Sequence, residues 1–418
     1  MTKKKLLFIT TRLFWPTDSG RKLSLYYYCK GLHEKYNCDI YLYSFLEAGQ
    51  SITDLEEKPS FIKHVKLAQP ISYKEKIKNL LFKTFMRRQW PLQCSLYYSE
   101  ENERKIKDHC SQINPDYIFT DMIRTAMYYD AFEQSSALKV LDMDDLLSAR
   151  YKRQLQSPYT SNISGQYTNK LPMGIRTLIG NRFIKKLVLT VEWQLTQKAE
   201  VFYANLYDRV IFVSQVETDY LNRILPEKAI TIPVGINLFN DERLSIKAEK
   251  NILSFVGNLN VAANVDSLRW IIEDILPKIH HDVKLLVIGK CPSHILEQYK
   301  DNNKLIFSGR VDDLVAYVRK GQIFLSPLLY GTGIKTKILE AMAMGVPVVT
   351  NDVGAEGINA QHKEAFWIEN SPEEIAVRID DLLDHYDKAL AVARNAKKVV
   401  EVNYEWNKIW GKFADILS

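Results

Sequence analysis

Gly331-Thr332-Gly333-Ile334-Lys335-Thr336-Lys337-Ile338-Leu339-Glu340 runs straight into Ala341-Met342-Ala343-Met344-Gly345-Val346-Pro347-Val348-Val349-Thr350. The stretch reads as a glycine loop, a helix with a cationic first turn and one carboxylate deeper in, and then an apolar strand. A helix N-terminus presents unpaired N–H groups and partial positive charge, so it attracts phosphate. Glycine lets backbone approach a ligand closely. A carboxylate in such a place accepts hydrogen bonds from vicinal hydroxyls, as an acidic residue does for ribose in dinucleotide sites. Phosphate cradle plus diol acceptor points to a nucleotide, and further to a nucleotide-sugar.

A strand–loop–helix–strand unit of this kind belongs to a parallel α/β sheet, and the rest of the chain has the same rhythm. In the first half, strands are expected at Leu6–Thr10, Asp39–Ser44, Tyr117–Thr120, Lys139–Asp142 and Arg209–Ser214, with helices at Lys22–Lys35 and Glu101–Ile113. The pattern restarts after Ile232-Pro233-Val234-Gly235, with strands expected at Ile252–Val256, Lys284–Ile288, Lys304–Ser308, Ile323–Ser326, Val346–Thr350 and Ala365–Ile368. Two consecutive series imply two doubly wound domains whose functional loops lie at the carboxyl ends of their strands. The cleft between such domains is the default ligand site. Residues 1–233 are expected to form the first domain and 234–403 the second. The amphipathic segment 404–418 is expected to return to the first domain.

With 418 residues the chain is too long for one compact core. Hydrophobic content of 46% and charged content of 25% are ordinary for a globular protein. No apolar run approaches the ~20 residues of a membrane-spanning helix. Lys3-Lys4-Lys5 followed by Leu6-Leu7-Phe8-Ile9 has no small-residue cleavage site after it and reads as a first strand. Cys29, Cys38, Cys94, Cys110 and Cys291 are scattered without metal-ligand spacing, the pattern of reduced thiols in a cytoplasmic protein. A net charge of +6 over this length does not indicate nucleic acid.

Several runs resemble the large retaining family of GT-B glycosyltransferases, numbered four among sugar transferases. Ser254-Phe255-Val256-Gly257-Asn258-Leu259 resembles the strand and glycine turn that open its donor domain. Leu285–Gly289 and Leu305–Val311 resemble its next two strands, Ser326–Thr350 its donor signature, and Gly354-Ala355-Glu356-Gly357 the turn that follows. Pro16–Arg21 resembles its N-terminal glycine loop, and Ile232–Asn237 its linker. The resemblance covers most of 1–45 and 205–410 and is weak across 46–200. The chain also departs from the family pattern. Thr332 stands where the first of two glutamates usually lies, the second being Glu340. Asn258 replaces an arginine facing the diphosphate, and Asp121 replaces a histidine near the reacting sugar.

The resemblance implies transfer of a sugar, with retention, from a nucleoside diphosphate donor, uridine-linked on the family pattern, to an acceptor hydroxyl on a lipid-linked or growing surface glycan. Lys335 and Asp121 are then the catalytic candidates. Donor contacts fall to Gly20, Gly257, Asn258, Gly309, Arg310, Val311, Thr332, Gly333, Ile334, Lys335, Lys337 and Glu340, with backbone N–H groups from Gly333 and Ile334. The resemblance also implies front-face attack, in which the leaving phosphate oxygen helps deprotonate the acceptor. No cofactor and no metal is expected. Two other readings stay open: a nucleotide-sugar 2-epimerase, and a non-catalytic nucleotide-binding partner subunit.

Asp142-Met143-Asp144-Asp145 has carboxylates at a spacing that binds a divalent cation. Beside that metal reading, its place in the first domain offers Asp142 and Asp144 as acceptor-side contacts or as loop and helix-cap residues. Among eight histidines only His280-His281 are adjacent. Two basic stretches, 74–90 and 173–189, carry aromatic and aliphatic residues between their cations. They fit either helices lying in an anionic membrane surface or helices packed inward with solvated lysines.

Overall fold

The computed structural model describes residues 3–417 apart from 48, 158–181 and 240–245. The chain forms two compact units: Met1–Lys152 with Lys170–Gly235 and Trp406–Ser418, and Arg153–Asn169 with Ile236–Glu405.

The first unit is built on β1 (Lys4–Thr10), β2 (Cys38–Ser44), β3 (Ile62–Leu67), β4 (Tyr117–Asp121), β5 (Leu138–Asp144), β6 (Arg209–Phe212) and β7 (Ala229–Thr231). Their order is 3-2-1-4-5-6-7, and every neighbouring pair is parallel. The second unit repeats the plan with β8 (Ile252–Val256), β9 (Lys284–Ile288), β10 (Leu305–Gly309), β11 (Ile323–Leu325), β12 (Val348–Thr350) and β13 (Trp367–Ile368). Its order is 10-9-8-11-12-13, again all parallel. In both sheets the order reverses beside the first strand, and loops there form the crevice that open α/β sheets offer to ligands.

The central strands are the ones the sequence shows best. In β1 the run Leu6–Thr10 is buried at every position, because a parallel sheet is covered on both faces. The expected Val346 start of β12 moves to Val348, since Pro347 has no N–H for the ladder; its carbonyl still accepts from Phe324 N at 2.7 Å. Strands β3 and β7 were not expected. They are edge strands, and β3 reads Ile-Lys-His-Val-Lys-Leu with one buried residue, so no apolar run marks it.

Region 151–200 enters the fold through a helix at Arg182–Leu206. Two of its acidic side chains cap other helices. Glu192 accepts from the backbone of Leu92 (2.5 Å) and Gln93 (3.3 Å), at the start of the helix Leu92–Tyr97. Glu200 accepts from Ser148 N (3.1 Å) and Oγ (2.5 Å) in the helix Leu147–Gln156. Carboxylates suit these positive helix ends, although burial raises Glu192 to about 7 and Glu200 to about 8.

The last residues close the core of the first unit. Within the helix Trp406–Gly411, Trp406 stacks on Tyr27 with centroids 4.5 Å apart, and Trp410 Nε1 donates to the Tyr27 carbonyl at 2.8 Å. Gly31 is glycine because a Cβ there would lie 2.2 Å from the Trp410 ring. Trp406, Ile409, Phe413 and Ile416 are all buried with Leu25, Tyr28 and Leu32. Trp406→Ala is therefore expected to cost the first unit about 3 kcal/mol, read from a denaturant midpoint. A loss under about 0.5 kcal/mol would show that the segment is not part of this core.

Candidate functional site

In the second unit the glycine loop and helix sit where the sheet order reverses. The loop leaves β11 at Ser326 and is braced from the end of β12. Asn351 Oδ1 accepts from Leu328 N (3.0 Å) and Gly354 N (3.1 Å), while its Nδ2 donates to the Leu328 carbonyl (2.8 Å). Thr350 Oγ1 donates to the Ser326 carbonyl at 2.7 Å, and the Tyr330 hydroxyl donates to Asp266 at 2.7 Å. Gly333 takes φ 65°, a left-handed turn that suits glycine and ends the loop.

The helix spans Thr336–Ala343, with Lys335 as its extended N-cap (φ −87°, ψ 94°). This corrects one expectation. Gly333 and Ile334 lie in the turn before the helix, so the first-turn N–H groups belong to Thr336 and Lys337. The left-handed glycine is the reason, since helical geometry cannot pass through it. Thr332 and Ile334 are buried beside this turn.

The two lysines differ sharply. Lys335 Nζ folds back onto the Thr332 (3.1 Å) and Gly333 (2.6 Å) carbonyls. Lys337 reaches the Val256 carbonyl (3.2 Å) and Asn264 Oδ1 (3.3 Å), and lies 4.9 Å from the centre of the Phe255 ring. Burial, with Lys335 adding to it, lowers Lys337 to about 7. One turn further on, burial raises Glu340 to about 7. Lys337 and Glu340 are three apart on one helix face, yet no ion pair joins them and Glu340 has no hydrogen-bonded side-chain partner among the described residues. A half-buried carboxylate without partners is costly in a free protein.

The other donor-side candidates are gathered around these groups by the sheet. Gly257 follows β8, and its N–H donates to the Ile288 carbonyl at 2.9 Å. A Cβ on Gly289 would fall 2.3 Å from the Gly257 carbonyl oxygen, so the β8 and β9 loops touch only because that residue is glycine. Asn258 is exposed and accepts from Asn260 N (3.0 Å) and Nδ2 (2.9 Å). Gly309 ends β10 with φ 69°, followed by exposed Arg310 and half-buried Val311. These residues all occupy carboxyl ends of strands.

In the first unit, Gly20 opens the helix Gly20–Glu34, and its neighbour Arg21 draws three candidates together. Arg21 meets Asp121 (2.6 Å), Asp142 (3.0 Å) and Asp144 (3.2 Å) at the ends of β4 and β5. Asp121 is corrected as a catalytic candidate. It is fully buried; one oxygen takes Arg21 Nε and Nη2, and the other takes Thr11 N (3.0 Å) and Oγ1 (2.5 Å). A carboxylate sealed in this way anchors the arginine and leaves no oxygen open to solvent. Asp142 is likewise fully buried, which corrects its acceptor-side placement. Only Asp144 keeps its side chain partly open, at 21% exposure.

Burial opposes charge on all of these groups. Arg21 nevertheless stays well above its usual value because three carboxylates face it, and Asp121 is held below the usual carboxylate range by Arg21 and Thr11. Burial raises Asp142, and raises Asp144 to about 7. Nothing in the sequence marks Arg21 as the organiser, whereas Asn351 followed by Asp352-Val353-Gly354 carries an ordinary helix-cap signal. Among the described residues, no group of three His, Cys, Asp or Glu side chains is placed to hold a metal ion.

Two parallel sheets of this order make an α/β protein of the GT-B fold, and whole-chain likenesses agree. Sucrose-phosphate synthase from Thermosynechococcus elongatus is similar with TM-score 0.70 at 15% identity, covering 99% of this chain and 98% of that one. HepE from Anabaena in complex with UDP is similar with TM-score 0.68 at 14% identity, covering 99% of both chains. Residues 250–385 match the family model described as Glycosyl transferases group 1. An uncharacterized 44.6 kDa protein in the cps region of Klebsiella pneumoniae is 29% identical over 218 residues. That match covers 49% of this chain and 54% of the relative, so it spans about half the relative's length.

Proposed function

We propose that the protein is a retaining glycosyltransferase that moves a sugar from a uridine diphosphate donor to a hydroxyl of a lipid-linked or growing surface glycan. The observation that carries this reading is the Glu340 carboxylate, without a hydrogen-bonded side-chain partner among the described residues, one turn beyond a helix N-terminus with Lys335 and Lys337 beside it. The UDP held by HepE and the cps-region setting of the Klebsiella relative support the donor and acceptor classes.

In this reading the diphosphate meets the Thr336 and Lys337 N–H groups, and Lys335 swings from its loop carbonyls to the departing phosphate. The helix end alone contributes about 0.3–1 kcal/mol, so the lysine charge in a water-poor site supplies most of the leaving-group stabilisation. Glu340 takes the ribose hydroxyls, and Thr332 is the hydroxyl available to the sugar. The leaving phosphate oxygen accepts the acceptor proton, so no protein base is required. Asp144 remains as the acceptor-side polar contact.

Thermal-shift screening of nucleotide-sugars, with and without chelator, tests the proposal. Saturation at about 100 times Kd stabilises by about 2.7 kcal/mol. Stabilisation by a UDP-sugar that ignores chelator is expected; none by any nucleoside diphosphate sugar would end the reading.

A pH signature follows as well. Donor binding needs Glu340 ionised, which is favoured above its value of about 7. It also needs Lys337 protonated, which is favoured below its value of about 7. Affinity should therefore peak near pH 7 and fall on both sides. Lys337→Met should flatten the alkaline limb and Glu340→Gln the acid limb, as read by calorimetric titration with UDP. A profile unchanged by both substitutions would remove these groups from the site.

A further inference from the structure

The segment 73–90 in the first unit is folded inside out. Its helix Tyr73–Asn79 continues into the π-helical turns Leu80–Met86. The side facing the protein buries Leu80 and Trp90 together with the polar Asn79 and Thr84. Asn79 Nδ2 donates to the carbonyls of Ser95 (3.2 Å) and Tyr98 (3.0 Å), and Thr84 Oγ1 bonds Ser95 Oγ at 2.7 Å. The opposite side is apolar. Tyr73, Leu81, Phe82, Phe85 and Met86 are each between 48% and 71% exposed.

Residues 73, 77, 81 and 85 follow one i,i+4 row, and Phe82 with Met86 adds a second beside it, so the exposed groups form one continuous strip. A water-facing helix normally shows the reverse arrangement. The strip is bordered by cations: exposed Lys74 and Lys78 at one end, exposed Arg87 and Arg88 at the other, and Lys83 over the Trp90 ring at 4.7 Å. Glu75 is the single acidic residue in the segment.

We propose that this strip is a docking surface for an anionic lipid bilayer, with Tyr73, Leu81, Phe82, Phe85 and Met86 entering the headgroup–acyl boundary and the lysines and arginines meeting anionic headgroups. An apolar face with a strongly basic border is what such an interface selects. Charge complementarity chooses this occupant over a second copy of the chain, because a self-complementary contact would bring the same cations face to face. The proposal stands on the strip and not on the transferase reading. The second basic stretch, 173–189, lies largely outside the described residues, and nothing here depends on it.

Flotation of the full chain with vesicles, without donor or acceptor, tests the surface. Binding is expected to phosphatidylcholine vesicles containing phosphatidylglycerol at low salt, with loss at high salt, and little binding to phosphatidylcholine alone. Arg87→Glu with Arg88→Glu should weaken flotation about tenfold or more, and Phe82→Ser with Phe85→Ser likewise. These side chains are exposed, so melting temperatures and donor-sugar hydrolysis should stay at wild-type values. Absence of flotation on anionic vesicles at low salt would overturn the proposal. So would flotation that both variants leave unchanged, or self-association that only Phe82→Ser with Phe85→Ser abolishes.

Discussion

Glu340→Ala should weaken UDP binding about 10- to 100-fold while making the ligand-free protein more stable. Hydrogen bonds from hydroxyls to a carboxylate are worth about 1.5–3 kcal/mol each, and each 1.4 kcal/mol is about tenfold in affinity. The opposite sign for stability comes from the free state, where the carboxylate is desolvated and raised to about 7 without a partner. Removing it should raise the melting temperature by about 1–3 °C. A purely structural glutamate would lose stability instead, so the two readouts separate the roles. Lys335→Ala should lower kcat about 10²- to 10³-fold with a smaller change in KM, the pattern of a group that acts on the developing charge. Because Lys335 also ties the Thr332 and Gly333 carbonyls, its melting curve must be compared with wild type. Full activity in either variant would refute the assignment.

Arg21→Met should be among the most damaging single changes in the first unit. It leaves buried Asp121 and Asp142, with the partly open Asp144, around a lost counter-charge. Breaking a buried pair in this way costs about 3–5 kcal/mol, or roughly 6–20 °C in a unit of this size. The pH dependence has a definite sign. Asp121 is depressed in the folded protein, so its contribution is present above the ordinary carboxylate range and is lost as pH falls through its lowered value. Asp144 is raised to about 7, so its contribution is complete below the ordinary value and disappears as pH rises through about 7. The deficit of Arg21→Met should therefore be smaller at pH 5 than at pH 8, since protonation relieves the uncompensated charge. Arg21→Lys restores a charge without the planar fork and should recover only part of the loss. Thermal melts of the three proteins at both pH values decide the matter; a uniform small loss would show that the cluster is solvated.

What the amino-acid order reveals depends on whether a signal is local. β1, β8 and β9 are buried on both faces, so their apolar runs announce them. The glycine loop and helix at 331–343 are equally local, because turn chemistry, cap and apolar face follow each other within a few residues. β3 and β7 lie at an edge and carry no such run. Arg21 lies 100, 121 and 123 residues before Asp121, Asp142 and Asp144 and meets them only through the β1–β4–β5 register, which no spacing rule encodes. That meeting also explains why Asp121, placed at a strand end, turned inward. The composition of 74–90 left its direction undecided; the bonds of Asn79 and Thr84 settle which face looks outward.

The order of synthesis gives the packing of Trp406, Ile409, Phe413 and Ile416 a temporal meaning. These residues are made after the whole of the second unit, yet they finish a hydrophobic centre begun by Leu6 and Leu25. At about 5–20 residues per second the first unit must wait roughly ten seconds or more, with Tyr28 and its neighbours uncovered, while the polypeptide from 236 to 405 is made. The unit encoded later is thus free to mature earlier, and the nascent amino-terminal half is the part that most needs chaperone cover.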